Sequence, residues 1–326
     1  MNVLGIYKSF NRAKAASFYG YKSAVGKKFD VIIKKGSASE SESDYIINAL
    51  NKILKKRIAA NETVGEGCTG VVYKIDNKYV LKAPLGSDSI PENSLNVVNQ
   101  NFQQLKRYYG EPVIKIGDFS VLKNASKSKE QITAGVAKSS AKSLQNPMSD
   151  VEYYNSVIMP KIARAPQRSY DNLAKDIATL NSLAKPEQNI FYHYDYNNPN
   201  NIILNGKTFN MIDEMNVSQI PTQNTLSDLI NIFLKQMKVN SPAVPSVKIQ
   251  GLRQTIAQKI IKAGMKNDLP LANREKADGG WTFVFKYLCR AKEEPQKIMD
   301  KLREISKISD KAQQERELEN YLSTIF

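Results

Sequence analysis

The side chains best suited to chemistry lie in residues 191–204, which read H-x-D-x-x-x-x-N followed by a short apolar run. Asp195 is the acid of this pattern and Asn200 is its amide, and a second apolar run ends at Asp213. A carboxylate beside an attacking hydroxyl orients it and can take its proton, and carboxylate and amide oxygens are ligands that Mg²⁺ prefers. His193, the one histidine of the chain, is expected to brace the loop. The pattern predicts phosphoryl transfer, with Asp195 as catalytic base and with Asn200 and Asp213 as metal ligands.

A glycine-rich segment upstream of this site has the pattern G-x-G-x-x-G-x-V. The residues of the pattern are Gly65, Gly67, Gly70 and Val72. Glycines let the backbone turn tightly and approach phosphate groups closely. Apolar residues after the third glycine indicate that the loop joins two strands, whereas a dinucleotide-binding loop would open a helix. Lys82 lies on the next predicted strand, Tyr79–Ala83, where it can grip the α- and β-phosphates, so it is counted as both catalytic and ATP-binding.

The apolar run Val157–Ile162 is predicted to form a strand and the hinge between two lobes. In this arrangement the hinge backbone holds the adenine ring, so Met159 and Ile162 are predicted to bind it. A plain buried strand that ends at Pro160 is the alternative. Several separate signals in this order along one chain are much stronger evidence than a lone glycine triplet.

The sequence departs from the expected pattern at one feature of such a site. A kinase-type lysine pairs with a glutamate on the helix that follows it, and residues 91–109 have the apolar spacing of that helix. The middle of this helix offers asparagine and glutamine, and Glu92 lies only at its start. Either Glu92 pairs with Lys82 from an unusual position, or the ion pair is absent at rest. The departure leaves open an inactive resting state, a requirement for an activator, or a pseudokinase.

The composition limits the class of the protein. At 326 residues the chain can bury a large core, and no apolar run approaches the roughly 20 residues of a membrane span. The N-terminus has no signal-peptide core, so Sec export is not expected, and the two cysteines, Cys68 and Cys289, make no disulfide framework. The net charge of +15 predicts attraction to anions, although a lysine-rich solvated surface explains it equally well.

Together these signals predict an α+β chain with a bilobal protein kinase-like fold, a small β-rich N-lobe, a helical C-lobe and no standard activation segment. Residues 1–43 are interpreted as a basic extension and linker. Residues 44–160 are assigned to the N-lobe, with a basic insertion at 123–147. Residues 161–326 are assigned to the C-lobe, in which 222–326 are remodelled or added helices.

Residues 65–213 resemble atypical bacterial effector kinases of the OspG/NleH kind, in the protein kinase-like superfamily. Those proteins carry a catalytic loop of the form H-Y-D-L-N-x-x-N, and this chain has H-Y-D-Y-N-N-P-N from His193 to Asn200. In both, an asparagine (here Asn197) stands two residues after the aspartate. The resemblance implies the site roles given above, with ATP and Mg²⁺ or Mn²⁺ as cofactors. It also implies secretion into the host cell cytoplasm and transfer to a serine or threonine hydroxyl of a host protein.

Three functions are open at this point. The first is a serine/threonine protein kinase. The second is a small-molecule kinase of the aminoglycoside/choline kinase kind; the glycine triplet and the basic charge disfavour cationic substrates, whereas a phosphoinositide or inositol phosphate remains suitable. The third is a pseudokinase that docks an anionic partner. An inositol polyphosphate or anionic lipid is the candidate activator, nucleic acid is not an expected partner, and the oligomeric state is open.

Overall fold

The chain divides into two compact units, residues Met1–Ser89 with Pro112–Asn124 and residues Ile90–Glu111 with Ala125–Phe326. The described part of the first unit consists mainly of strands, and the described part of the second unit consists mainly of helices. The predicted α+β class is therefore confirmed at this level, while the bilobal kinase-like arrangement stays a prediction. The computed structural model describes residues 63–66, 70–84, 105, 108–109, 112–116, 119–125, 132–133, 154–183, 201–205, 208–212, 225–234, 246–271 and 280–326.

The first unit contains a five-stranded antiparallel sheet, in the order β1-β2-β3-β5-β4. Its strands are β1 (Thr63–Glu66), β2 (Gly70–Lys74), β3 (Tyr79–Pro84), β4 (Pro112–Ile116) and β5 (Phe119–Lys123). β-branched and aromatic residues, which suit a pleated surface, recur in these strands. The strands predicted at 79–83, 113–116 and 119–122 are confirmed, and the glycine pattern joins two strands as predicted.

Asp76 shapes the turn between β2 and β3. Its Oδ1 accepts hydrogen bonds from the backbone N–H groups of Lys78 (2.6 Å) and Tyr79 (2.8 Å). Its carbonyl accepts a bond of 3.2 Å from Asn124 Nδ2, just beyond β5. Aspartate favours such turns because its short side chain can bond the backbone two or three residues on. The turn fixes the register of β2 against β3, and a slip of one residue would move the Lys82 side chain to the opposite face of the sheet.

The second unit is built mainly of helices. They are a π-helical segment Tyr154–Ile158, α1 (Met159–Arg164), α2 (Gln167–Leu183), α3 (Leu226–Leu234), α4 (Val247–Lys266), a second π-helical segment Phe283–Leu288, α5 (Pro295–Ser306) and α6 (Lys311–Ile325). A small antiparallel sheet accompanies them, with strands β6 (Ile132–Thr133), β7 (Ile202–Asn205) and β8 (Thr208–Met211) in that order. None of the described helices is both long and apolar enough to cross a membrane.

Helix α4 is the centre of the core of this unit and packs against α1, α2, α3 and α6. Its fully buried residues, spaced three, four and seven apart, include Ile256, Ile260 and Ala263. Ser246 caps its start, where Oγ accepts a bond of 3.3 Å from the Ile249 N–H. Burial of this apolar stripe on several neighbouring helices is what holds the unit together.

The strand predicted at Val157–Ile162 is wrong, because this stretch ends the first π-helical segment and forms most of α1. Met159 and Ile162 are buried there, with 0% and 2% of their surface exposed. Pro160 lies in the first turn of α1, where a missing N–H costs nothing. A short apolar run does not distinguish a buried strand from a buried helix. Here the run packs against α4 as the helix α1.

Other local predictions have mixed outcomes. The helices predicted at 247–266 and 293–326 are confirmed, the last as two helices, and the one at 282–291 is mostly π-helical. The helix predicted at 225–238 is confirmed as far as Leu234, and residues 235–238 lie outside the described residues. The helix predicted at 91–109 lies largely outside the described residues, but its end is wrong, because Tyr108 forms a parallel β-bridge with Met211. The basic segment 123–147 contributes β6, which pairs with β7.

Candidate functional site

The sheet of the first unit brings three predicted ATP-binding residues into one row. In the register of the strands, Gly65 on β1 lies opposite Val72 on β2, and Val72 lies opposite Lys82 on β3. Directly opposed residues point to the same face of a sheet, with Cβ atoms about 4.5–5.5 Å apart. The side chains of Val72 and Lys82 are both half-buried. The row therefore presents a hydrophobic side chain beside a lysine on one face, next to a strand position that carries no side chain.

The same row continues to Ser120 on β5, which lies opposite Lys82 and is buried. Sequence reasoning did not single out Ser120, because nothing local in β5 shows which strand will pair with it. The register also shifts between Thr63 and Gly65, an irregularity of the kind that bends a strand beside a site. Gly70 begins β2 opposite Pro84, while Gly67 lies outside the described residues.

The second structural element of the predicted site is the β7–β8 hairpin. Ile202 pairs with Met211, and the Ile212 N–H donates a bond of 2.9 Å to the Asn201 carbonyl. Asn200 precedes this closing pair by one peptide bond, and Asp213 follows it by one. The two predicted metal ligands are therefore the sequence neighbours of the two residues that this bond joins. Asn200, Asp213 and the predicted base Asp195 themselves lie outside the described residues.

Aromatic side chains fix this hairpin to helices α2 and α3. The ring of Phe209 on β8 lies 4.9 Å from that of Tyr170 on α2, edge to face, and 5.1 Å from that of Phe233 on α3. The buried Asn210 donates a bond of 3.1 Å from Nδ2 to the Ala125 carbonyl. Such packed aromatic contacts and satisfied buried bonds make a rigid base for residues at the end of the hairpin.

Lys259 of α4 holds the end of α1. Its Nζ donates bonds of 2.6 Å to the Ala163 carbonyl and 2.7 Å to the Ala165 carbonyl. The hydroxyl of Tyr170 donates to the Ile162 carbonyl at 2.6 Å. The last carbonyls of a helix lack partners within the helix, and a cation there is favourable. Partial burial lowers the pKa of Lys259 below its usual value.

The predicted binding of adenine by Met159 and Ile162 requires an extended hinge backbone, but both residues lie in helix α1. Both side chains point into the core, and the carbonyl of Ile162 already accepts a bond from Tyr170. Sequence reasoning missed this because the partners of α1 come from residues far along the chain. Among the described residues, no group of three or more histidine, cysteine, aspartate or glutamate side chains could hold a metal ion.

A partly buried polar cluster lies where α4 meets the second π-helical segment. Gln250 and Gln254, one turn apart on α4, both donate from Nε2 to the Cys289 carbonyl, Gln254 at 3.3 Å. Burial raises the pKa of the Cys289 thiol, and the positive charge of the buried Arg253 offsets part of that rise. The thiol is therefore held protonated, which suits a structural role and not a nucleophilic one.

No protein-family model and no curated protein matches the sequence. Among solved structures, the chain is similar to the pseudokinase domain of BIR2, an immune regulator of the RLK/Pelle family, at 11% identity and a TM-score of 0.32, over 82% of each chain. It is also similar to APH(2″)-IIa in its ternary complex with streptomycin and ATP, at 14% identity and a TM-score of 0.24, over 75% of this chain and 96% of that one. At TM-scores this low, neither likeness establishes a shared fold.

Proposed function

We propose that the protein is an ATP-dependent phosphotransferase that acts on hydroxyl groups, as a serine/threonine protein kinase. The observation that carries the proposal is the register that aligns Gly65, Val72 and Lys82 across three neighbouring strands. These three positions were selected from sequence spacing alone, and strand pairing could have scattered them over both faces. A row with a glycine, an aliphatic side chain and a lysine suits the triphosphate and base of a nucleotide.

The β7–β8 hairpin supports the metal part of the proposal. Asn200 precedes Asn201 in sequence and Asp213 follows Ile212, the two residues joined by the closing bond of the hairpin. We infer that the Asn200 amide and the Asp213 carboxylate hold Mg²⁺ or Mn²⁺, which would neutralise charge on the β- and γ-phosphates.

In the proposed reaction the acceptor hydroxyl oxygen forms a bond to the γ-phosphorus of ATP, and the bond between that phosphorus and the β–γ bridging oxygen breaks. Asp195 takes the hydroxyl proton, and ADP leaves with the electron pair of the broken bond. Lys82 binds the α- and β-phosphates and so holds the leaving group in position.

The phosphate acceptor, the cellular location of the protein and its regulation are proposed from the sequence alone. The resemblance to effector kinases favours a host protein as substrate and the host cytoplasm as the site of action. The net charge of +15 disfavours cationic small substrates, so an anionic acceptor such as a phosphoinositide is the alternative. Because residues 91–109 carry no glutamate near the middle of the segment, we also propose activation by an anionic host factor such as an inositol polyphosphate.

Incorporation of label from γ-³²P-ATP tests the proposal, with generic protein substrates, host extract and phosphoinositides as acceptors. The Asp195→Asn variant is expected to lose about 10²–10⁴-fold in rate, the usual contribution of a general base. Lys82→Met and Asp213→Asn should also lose activity. Lys78→Met is the matched control, because Lys78 is an exposed lysine at the β2–β3 turn, and it should remain active.

Each result assigns a function. Label on protein that the three variants abolish supports the protein kinase, and label on phosphoinositide supports the small-molecule alternative. Absence of turnover with and without inositol hexakisphosphate, in a protein that circular dichroism shows to be folded, would exclude both and leave the pseudokinase.

A further inference from the structure

Three successive residues at the end of β8 are each held by a different segment of the chain. The Asn210 side chain donates from Nδ2 to the Ala125 carbonyl at 3.1 Å. The Met211 carbonyl accepts a bond of 2.9 Å from the Tyr109 N–H. The Ile212 N–H donates the closing bond of the β7–β8 hairpin, also at 2.9 Å. All of these residues belong to the second unit.

Asp213, the predicted metal ligand, is the residue that follows these three in sequence. A trans peptide fixes its Cα about 3.8 Å from that of Ile212. The partners of the three residues lie just before β4, just after β5 and just before β7, so they come from distant parts of the chain. A functional side chain is held precisely when the residues that support it are themselves fixed by packing and hydrogen bonds.

Asn210 is anchored through its side chain, whereas Met211 and Ile212 are anchored through the backbone. Only 2% of the surface of Asn210 is exposed, and its neighbours on β8, Phe209 and Met211, are buried and apolar. A buried amide costs free energy unless it is hydrogen-bonded, and an apolar side chain would not carry that cost. The bond to Ala125, which spans 85 residues of sequence, therefore accounts for a polar residue at this position.

The other end of this bond lies where the chain leaves β5. Ala125 is the first residue of the second unit after that strand, and Asn124 is the last residue of the first unit. Asn124 donates from Nδ2 to a carbonyl of the β2–β3 turn at 3.2 Å. β5 itself pairs with β3, the strand of Lys82. Asn210 therefore holds the segment that follows the strand beside Lys82.

We propose that Asn210 is a positioning residue for metal binding at the phosphotransferase site, an inference that rests on the proposed function. Its bond to Ala125 fixes the end of β8, from which the Asp213 carboxylate and the neighbouring Asn200 amide hold Mg²⁺ or Mn²⁺. Mg²⁺ demands near-ideal octahedral geometry, so displacement of one ligand weakens its binding. Residues that orient metal ligands without touching the metal typically change its affinity by about 10–100-fold when they are replaced.

Calorimetric titration of the full chain with the non-hydrolysable ATP analogue AMP-PNP, without metal and with excess Mn²⁺, tests the proposal. The ratio of the two dissociation constants measures how much the metal tightens nucleotide binding. Asn210→Leu removes the donor and keeps a side chain of similar size, and it should reduce this ratio about tenfold. Binding without metal should be unchanged, because Lys82 is intact. Asn210→Asp replaces the donor by an acceptor and should reduce the ratio at least as much.

Asn267→Leu is the matched control. Asn267 also donates from Nδ2 to backbone carbonyls of the second unit, to Ala263 on α4 at 2.8 Å and to Asp171 on α2 at 3.2 Å. Both leucine variants should lower the midpoint of urea unfolding, because each removes an amide bond to a carbonyl. The control should keep the wild-type ratio, whereas a purely structural role of Asn210 predicts the same ratio in both variants.

A measurement on the wild type covers the case in which the Asn210 variants do not fold. By linkage, the anchoring of β8 and the binding of metal stabilise each other. AMP-PNP with Mg²⁺ should therefore slow amide hydrogen exchange at Tyr109 and Ile212 more than at Leu269, whose N–H bonds the Gly264 carbonyl at the end of α4. Equal slowing at all three amides would overturn the proposal.

The titrations separate this proposal from the proposed function. An unchanged ratio in folded Asn210→Leu would overturn the positioning role and leave the phosphotransferase standing. A wild type in which Mn²⁺ does not tighten AMP-PNP binding would overturn both. A ratio that Asn210→Leu reduces, in a protein without turnover, would support the positioning role and exclude the proposed catalysis.

Discussion

Val72 and Lys82 are direct cross-strand partners in the antiparallel pair β2–β3. Their side chains therefore share one face of the sheet, although ten residues separate them along the chain. The register depends on the turn at Asp76, whose carboxylate accepts two backbone N–H groups. This pairing places two residues of the proposed nucleotide site side by side on the sheet of the first unit.

The first prediction concerns ligand stabilisation through Lys82. A ligand that binds only the folded state stabilises it by about 2.7 kcal/mol at a hundredfold excess over Kd. Mg-ATP should therefore raise the melting temperature of the wild type, and the Lys82→Met variant should show little or no rise. Differential scanning calorimetry with and without Mg-ATP measures this. Lys78→Met should respond as the wild type does, and an undiminished rise in Lys82→Met would show that this lysine does not bind the nucleotide.

The second prediction compares two glycines of α4. A Cβ on Gly264 would lie 2.1 Å from Cδ1 of the fully buried Leu226, whereas a Cβ on Gly251 would meet nothing within 4 Å. We expect Gly264→Ala to lower the free energy of unfolding by about 1–3 kcal/mol through overpacking. Gly251→Ala should raise it by about 0.5–1 kcal/mol, because alanine favours the helix. Urea unfolding of both variants measures the difference, and equal effects would mean that α3 and α4 are not this close.

The third prediction concerns the end of α4 at Asp268, whose φ is 54°. The Leu269 N–H donates to the Gly264 carbonyl at 2.9 Å and the Asp268 N–H donates to the Met265 carbonyl at 3.2 Å, the pattern of a Schellman motif. Both Asp268→Gly and Asp268→Ala lose the ion pair with Lys311, so their difference isolates the backbone. Asp268→Gly should be more stable than Asp268→Ala by about 1 kcal/mol in thermal or urea unfolding. Equal stabilities would contradict the left-handed conformation.

The fourth prediction concerns the pH dependence of Cys289. Burial raises the pKa of its thiol above the ordinary value of 9.0, so the folded state keeps the proton where the unfolded state loses it. Stability contributed by the protonated thiol is therefore fully present below pH 9.0 and falls as the pH rises above it. The free energy of unfolding of the wild type should fall relative to that of Cys289→Ala across this range. In a Cys68→Ser background, iodoacetamide should label Cys289 only after unfolding, and rapid labelling of folded protein would contradict its burial.

Local sequence patterns predicted the helices and strands correctly where residues close in sequence determine the structure. The span of α4, 247–266, and the strand at Tyr79 follow from apolar spacing and turn residues, and the structure confirms them. The selection of Gly65, Val72 and Lys82 also came from spacing alone. Spacing along the chain does not predict which strands pair, so the position of Ser120 opposite Lys82 could not be predicted from the sequence.

The sequence by itself therefore determined the α+β character and the positions of most of the described helices and strands, and it predicts the residue types of a phosphoryl-transfer site. Tertiary structure alone decided the register that aligns Val72 with Lys82 and the helical form of residues 159–164. It also decided that Lys259 binds the end of α1 and that Gly264 touches Leu226. The physical reason is that these outcomes depend on burial and hydrogen bonding between segments distant in sequence, whose contact free energy outweighs the weak preferences of short apolar runs.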